Sequence, residues 1–210
     1  MAELKLHQEL FDYDSEIRRI HPVFCGVDEA GRGPLAGDVY AAAVILSDKT
    51  LIQGLNDSKK ISEKNREKLF DIIIENADDF CIASASAEEI DRINILQAAM
   101  LAMERAVAGL KKAPEFALID GNRCPALPCT SEFLVKGDAK SASIAAASVL
   151  AKVARDRYMR QLAEEYPEYG FEKHKGYGTK LHYEMIDQYG ICEEHRRTFL
   201  KKLFGEQDGK

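Results

Sequence analysis

Residues 27–46 read VDEAGRGPLAGDVYAAAVIL, and this stretch decides the fold. The apolar run Val23 to Val27 leads into it as a strand. That strand ends in Asp28-Glu29 and then meets Gly31, Gly33 and Pro34, residues that break regular structure and turn the chain sharply. Val39 to Leu46 follows as a second strand whose small or apolar residues suit burial on both faces. Two strands therefore flank a glycine-rich turn, and the first delivers two carboxylates at its end.

Working outward, residues 2–20 read as an amphipathic helix, with Leu4, Leu10, Phe11 and Ile17 among acids and bases, closed by Pro22. Downstream, Asn56 to Lys59 is a loop, and Ser62 with Glu63 opens a helix through about Asn76. Phe80 to Ala87 reads as a third strand. A helix from about Ile93 to Leu110 follows, ended by Lys111, Lys112 and Pro114, with Asn94 in a capping or structural role. Phe116 to Ile119 is a strand delivering Asp120, and Glu132 to Lys136 another delivering Gly137 and Asp138. Ser141 to about Glu165 reads as a long helix, with Ile144, Ala147, Ala151, Ala154 and Tyr158 forming a stripe of mostly small residues that allows close packing on a sheet. A charged loop, Glu172 to Thr179, precedes a last helix from about Lys180 to Tyr189. This order predicts an α/β layer fold, a five-stranded mixed sheet flanked by helices.

The chain has 210 residues, 46% hydrophobic and 30% charged, which suits one globular domain with a sizeable core. The boundaries read as a single domain over 1–210, with a core over about 22–165 and a C-terminal helical extension over about 166–210. The net charge of −6 excludes a histone-like protein but not a local basic groove. No apolar run approaches the roughly 18 residues of a membrane span, and the acidic N-terminus lacks the apolar centre of a signal peptide. Cys25, Cys81, Cys124, Cys129 and Cys192 are odd in number and scattered, not spaced as a zinc knuckle. Reduced thiols and a cytoplasmic location are the expectation.

Asp28-Glu29, Asp120 and Asp138 stand apart from the other acids because each follows an apolar strand, and strand ends converge where α/β proteins place their sites. Gathered together, four carboxylates repel one another unless a cation neutralises them, and oxygen-only ligands favour Mg²⁺ or Mn²⁺ over zinc. Successive strand side chains point to opposite faces, so Asp28 and Glu29 reach one site only if the strand breaks there. On spacing alone the commoner reading is that these acids solvate a turn and cap following segments.

The full motifs weigh against that reading. VDEAGRGPLAGDVYAAAVIL closely resembles the first strand region of the ribonuclease HII family, the type 2 ribonucleases H. LNDSKKIS, INILQAAMLAM, LIDGN, VKGDAKSASIAAASVLAKVARDRYM and HKGYGTKLHYEMIDQYG resemble that family's later blocks in order, over roughly residues 22–200. The resemblance implies a ribonuclease H-like fold and a hydrolase that cuts the RNA strand of RNA/DNA hybrids, and cuts 5′ of ribonucleotides embedded in duplex DNA. It implies two-metal-ion activation of water, 5′-phosphate and 3′-hydroxyl ends, and roles in ribonucleotide removal and primer removal. Asp28, Glu29, Asp120 and Asp138 carry over as the catalytic and metal-binding quartet, with Mg²⁺ or Mn²⁺ as cofactor, two ions in the substrate complex. His7, His21, His174, His182 and His195 lie outside the strand-end motifs, which agrees with metal-activated water.

Gly31-Arg32-Gly33 resembles the family's substrate-reading loop, although two glycines more often mean an ordinary tight turn. Lys136, Lys140, Lys152, Arg155, Arg157 and Arg160, extended by Lys173, His174, Lys175 and Lys180, form a basic stretch that could track phosphates, although a charge run is more often a solvated face. Ser58 and Lys59, with Asp57, read as a phosphate contact, and Ser141, Ser143 and Ser148 as contacts or as packing residues. Tyr177 lies between Gly176 and Gly178, consistent with an exposed ring, and in the family the matching tyrosine packs on the sugar beside the cleaved junction. The expected partners are hybrids and ribonucleotide-bearing duplexes. The expected state is a monomer, and KKLFGEQDGK shows no sliding-clamp motif. Fewer residues precede the first strand than the added domain of the sister ribonuclease HIII needs. The rivals are a hybrid-binding module without catalysis, which four intact carboxylates disfavour, and another nuclease or transposase on the same fold.

Overall fold

A computed structural model describes residues 5–56 and 58–204. Five strands form one sheet: β1 (Phe24–Ala30), β2 (Val39–Ile45), β3 (Asp79–Ala85), β4 (Phe116–Asp120) and β5 (Thr130–Leu134). Their order is β3-β2-β1-β4-β5, with β1/β2 and β2/β3 antiparallel and β1/β4 and β4/β5 parallel. The helices are α1 (Gln8–Ile20), α2 (Glu63–Asn76), α3 (Ala87–Ala108), α4 (Ala142–Glu165), α5 (Phe171–His174), α6 (Lys180–Tyr189) and α7 (Arg197–Phe204). The expected five-stranded mixed sheet is present.

Alternation along the strands builds two cores. Ala42 and Val44 face α4 together with Leu10, Leu69 and Ile73, while Cys25, Val27, Ala41, Ala43 and Ile119 face α3. The first half of α4 is buried nearly all round, which its Ala-Ser-Ile-Val composition permits. It lies so close to the sheet that a Cβ on Gly26 would stand 2.3 Å from the Ile144 amide nitrogen. Ser141 caps α4, and the buried Asp14 of α1 accepts from Ser141 Oγ at 2.6 Å and from the Ser143 amide and hydroxyl at 2.8 and 2.7 Å. Burial pushes the Asp14 carboxyl up in spite of these donors. None of the five cysteines forms a disulfide. Among the described residues, no helix is long and apolar enough to cross a membrane.

Several boundaries differ from the sequence expectation. α1 starts at Gln8, and residues 1–4, including Leu4, lie outside the described residues. α3 starts at Ala87, not Ile93, because Ser86 and Glu89 form a reciprocal cap. Asn94 then kinks it (φ 67°) and caps its second segment by accepting from the amides of Leu96 and Gln97. β5 ends at Leu134, before Lys136 enters a left-handed conformation (φ 57°). The charged loop expected from Glu172 overlaps the short helix α5, and α7 adds a further helix beyond Tyr189 within the helical extension.

Candidate active site

β1 does not break between Asp28 and Glu29. It stays paired with β2 as far as Ala30 opposite Tyr40, and the chain turns only at Gly31. Both carboxylates nevertheless line one cavity, because the parallel neighbour β4 leaves β1 at the Val27–Ile119 pair. Beyond Val27, β1 has an open side that residues of either face can reach.

Asp28 is 5% exposed and its Oδ1 accepts from the Glu29 amide at 2.7 Å. Ser148 of α4 lines the same cavity, and its Oγ lies 2.9 Å from Ser58 Oγ. Burial, followed by the charges of Glu29 and Asp120, holds the Asp28 carboxyl well above the usual carboxylate range. Glu29 is raised by burial too, partly offset by Arg32, whose Nη1 lies 3.3 Å from Glu29 Oε1. Asp120, at the end of β4, accepts from the Gly137 amide at 2.6 Å. That contact brings the turn Gly137–Ala139, with the buried Asp138, beside Asp120.

The donor set suits a hard divalent cation: oxygen ligands only, with the charges of Glu29 and Asp120 close enough to help raise the Asp28 carboxyl. Among the described residues, no three His, Cys, Asp or Glu side chains converge on one ion position as they stand. Asp28, Glu29 and Asp120 instead accept from the Glu29 amide, Arg32 and the Gly137 amide, contacts that side-chain rotation can exchange for a cation.

The cavity measures about 330 Å³ and is lined by Asp28, Glu29, Ala30, Gly31, Arg32, Gly33, Ser58, Ser148, Lys152 and Tyr177. Gly31 (φ +100°) has no room for a side chain, since a Cβ would stand 2.1 Å from Arg155 Nε. Tyr177 is 46% exposed, and a Cβ on Gly33 would lie 3.5 Å from its ring. Lys59 sits in the turn Ser58–Lys60, its side chain outside the described part of the structure, and Asp57 lies outside the described residues. Lys136 and Lys140 are exposed beside Asp138 and do not line the cavity. Ser141 and Ser143 are engaged by Asp14.

The basic stretch does not form one face. Arg157 and Arg160 bond to Glu67 and Glu63 of α2, Arg155 is 1% exposed, and His174 is buried. Helical rotation sends these charges in different directions, and Lys152 alone of α4's cations lines the cavity.

A mixed five-stranded sheet, strand-end carboxylates and an adjoining glycine loop define a ribonuclease H-like nuclease. Residues 25–206 match the family model described as Ribonuclease HII. The chain is 64% identical over 174 residues to Ribonuclease HII 1 of Methylibium petroleiphilum, covering 83% of this chain and 88% of that one. It is 55% identical over 190 residues to the Ribonuclease HII of Vibrio campbellii, covering 90% of each. Among solved structures, ribonuclease H2 from Pyrococcus horikoshii superposes with a TM-score of 0.69 at 29% identity, covering 83% of this chain and 92% of that one. The RNase HII of the PCNA complex from Archaeoglobus fulgidus gives 0.65 at 25% identity, covering 83% and 93%. The chain belongs to the ribonuclease HII family. It is accordingly a hydrolase, a divalent-metal-dependent endoribonuclease of RNA/DNA hybrids.

Proposed function

We propose that this nuclease cuts on the 5′ side of ribonucleotides embedded in duplex DNA as well as within longer hybrids, leaving 5′-phosphate and 3′-hydroxyl ends. One observation carries the reading. Asp28 and Glu29 share a cavity with the Gly31–Gly33 backbone and the Tyr177 ring, so cleaving groups adjoin groups able to read a sugar.

Asp28, Glu29, Asp120 and Asp138 would hold Mg²⁺ or Mn²⁺, two ions when substrate is present. Bound there, the cations supply Lewis acidity for attack by water and for departure of the 3′ oxygen. Burial keeps Asp28 and Asp138 poorly solvated, which favours cation capture over hydration. The Gly31–Gly33 backbone approaches the ribose, whose 2′-hydroxyl distinguishes RNA from DNA. The Tyr177 ring packs on the next sugar, and Ser58, Ser148, Lys59, Lys136, Lys140 and Lys152 border the phosphate path.

The wider reading is a cytoplasmic monomer that removes ribonucleotides and primers from DNA, its core over about 22–165 and its extension over about 166–210. The Ala36–His195 bridge supports an extension docked on the core loop. The related Archaeoglobus protein was solved with PCNA, but the KKLFGEQDGK sequence carries no clamp motif. The test is cleavage of a duplex bearing one ribonucleotide, with and without Mg²⁺ or Mn²⁺, with the cut position mapped. Cleavage confined to long hybrids would overturn the single-ribonucleotide reading.

A further inference from the structure

Arg196 is fully buried, yet among the described residues its guanidinium bonds to no carboxylate. It donates to four carbonyls of one loop: Nη2 to Gly31 at 2.7 Å, Nη1 to Arg32 at 3.1 Å and to Pro34 at 2.8 Å, and Nε to Gly37 at 2.9 Å. The Arg196 amide donates to Leu35 at 2.8 Å. Arg155, buried alongside, donates from Nη2 to Ala36 at 3.2 Å and from Nε to Asp38 at 3.1 Å. Its Nη1 crosses to Lys175 in the Tyr177 loop at 3.0 Å. From Gly31 to Asp38, every carbonyl except that of Gly33 is thus turned onto these two residues.

Peptide geometry converts this into a statement about the cavity. In a trans peptide the N–H points opposite to the C=O of the preceding residue. Holding the Gly31 and Arg32 carbonyls inward therefore aims the amides of Arg32 and Gly33 outward, toward the cavity that both residues line. Among the described residues neither amide donates to a backbone carbonyl. Two successive outward amides form a concavity suited to an electron-rich oxygen. Burial and the charge of Arg155 push Arg196 down to about 9, so it remains a cation at neutral pH behind those amides.

We infer that Arg196 is a positioning residue for substrate recognition: it touches no substrate but fixes the Gly31–Gly37 backbone so that the Arg32 and Gly33 amides face a substrate oxygen. That oxygen is the ribose 2′-hydroxyl or the adjoining phosphate. The inference rests on the reading of the Gly31–Gly33 loop as substrate-facing. Lysine keeps the charge, but one ammonium cannot span carbonyls as far apart along the loop as Gly31 and Gly37.

The experiment compares Arg196→Lys and Gly33→Ala in the full chain, with Mg²⁺ and a duplex bearing one ribonucleotide. Arg196→Lys should raise KM about 10- to 100-fold with kcat changed little, since contacts to the substrate weaken while the carboxylates are untouched. A lowered kcat at unchanged KM would mean a merely structural arginine and overturn the proposal. A raised KM in Gly33→Ala beside an unchanged KM in Arg196→Lys would leave the loop reading standing and remove Arg196. Unchanged KM in both would overturn the loop reading and the proposal with it.

If Arg196→Lys does not fold, amide exchange at Arg32 and Gly33 in the unmodified protein decides, measured in EDTA with and without duplex. Slowing by the ribonucleotide-bearing duplex alone supports the inference and assigns the 2′-hydroxyl. Slowing by an all-DNA duplex as well supports it and assigns the phosphate. Unchanged exchange with both duplexes overturns it.

Discussion

His182 Nδ1 lies 3.0 Å from the Tyr177 carbonyl oxygen, and this contact fixes the direction of a hydrogen-bond chain beneath the Tyr177 loop. A carbonyl only accepts, so Nδ1 carries the proton, and the Nε2 of a neutral His182 accepts from His195 Nε2 at 3.1 Å. His195 Nδ1 is then an acceptor for the Cys192 amide at 3.0 Å. His174, stacked on His182 at 4.4 Å, accepts from the Gly176 amide and donates to the Tyr169 carbonyl. All three imidazoles are neutral, and the exposed ring of Tyr177 stands on a buried, fully directed scaffold.

A pH dependence follows. Burial pushes His182 and His195 each down from 6.5 to about 4. Between those values the unfolded chain binds more protons than the folded one, so stability rises with pH across that window. The stability is complete above about pH 6.5 and lost as pH falls toward 4. His182→Asn, which keeps a donor for the Tyr177 carbonyl, should flatten the decline of Tm over this range. Identical slopes in variant and wild type would show that these imidazoles do not set the acid response.

The Tyr177 ring itself should matter on single-ribonucleotide substrates. Loss of a stacking contact costs ~1–3 kcal/mol, or about 5- to 150-fold in rate or affinity. Tyr177→Ala should slow single-turnover cleavage by that factor, while Tyr177→Phe, which keeps the ring, should stay near wild type. Equal rates for Tyr177→Ala and wild type would reduce the side chain to a loop residue.

Legibility in the sequence followed physical scale. Asp28, Glu29, Asp120 and Asp138 stand out because an acid after an apolar run, beside glycine, is a local signal, but that signal alone favours acids that solvate turns, and only the family motifs assign them to a site. Parity along β1 misled, because alternation says nothing about where the neighbouring strand stops. The burial of Arg155 and Arg196 is not legible in the sequence: in ARDRYMR and EHRRTF they look like surface cations, and only tertiary structure shows that their partners are backbone carbonyls. The three histidines are likewise separated along the chain and meet only when α5, α6 and the segment before α7 pack together.

The salt response should distinguish the cations of α4. Lys152, paired with Asp156 of its own helix at 2.6 Å, lines the cavity, whereas Arg157 is bonded to Glu67 of α2 at 2.6 Å and lies away from it. If Lys152 neutralises one phosphate, Lys152→Gln should lower the log–log salt slope of duplex binding by ~0.9. Arg157→Gln should leave the slope unchanged. The opposite pattern would place the duplex across the α2 face of the helix.

Asp28→Asn and Asp138→Asn should each abolish cleavage while leaving duplex binding within about threefold, because an amide keeps the shape but loses the charge that holds a divalent cation. Near-wild-type cleavage by a folded variant would remove that carboxylate from the site.

The most direct measurement is cleavage by the unmodified protein of a DNA duplex containing one ribonucleotide, with the ends mapped and the divalent cation varied. The account predicts a single cut 5′ of the ribonucleotide, leaving 3′-hydroxyl and 5′-phosphate ends, in Mg²⁺ or Mn²⁺ and none in EDTA. Cleavage in EDTA, or a cut on the 3′ side of the ribonucleotide, would contradict it.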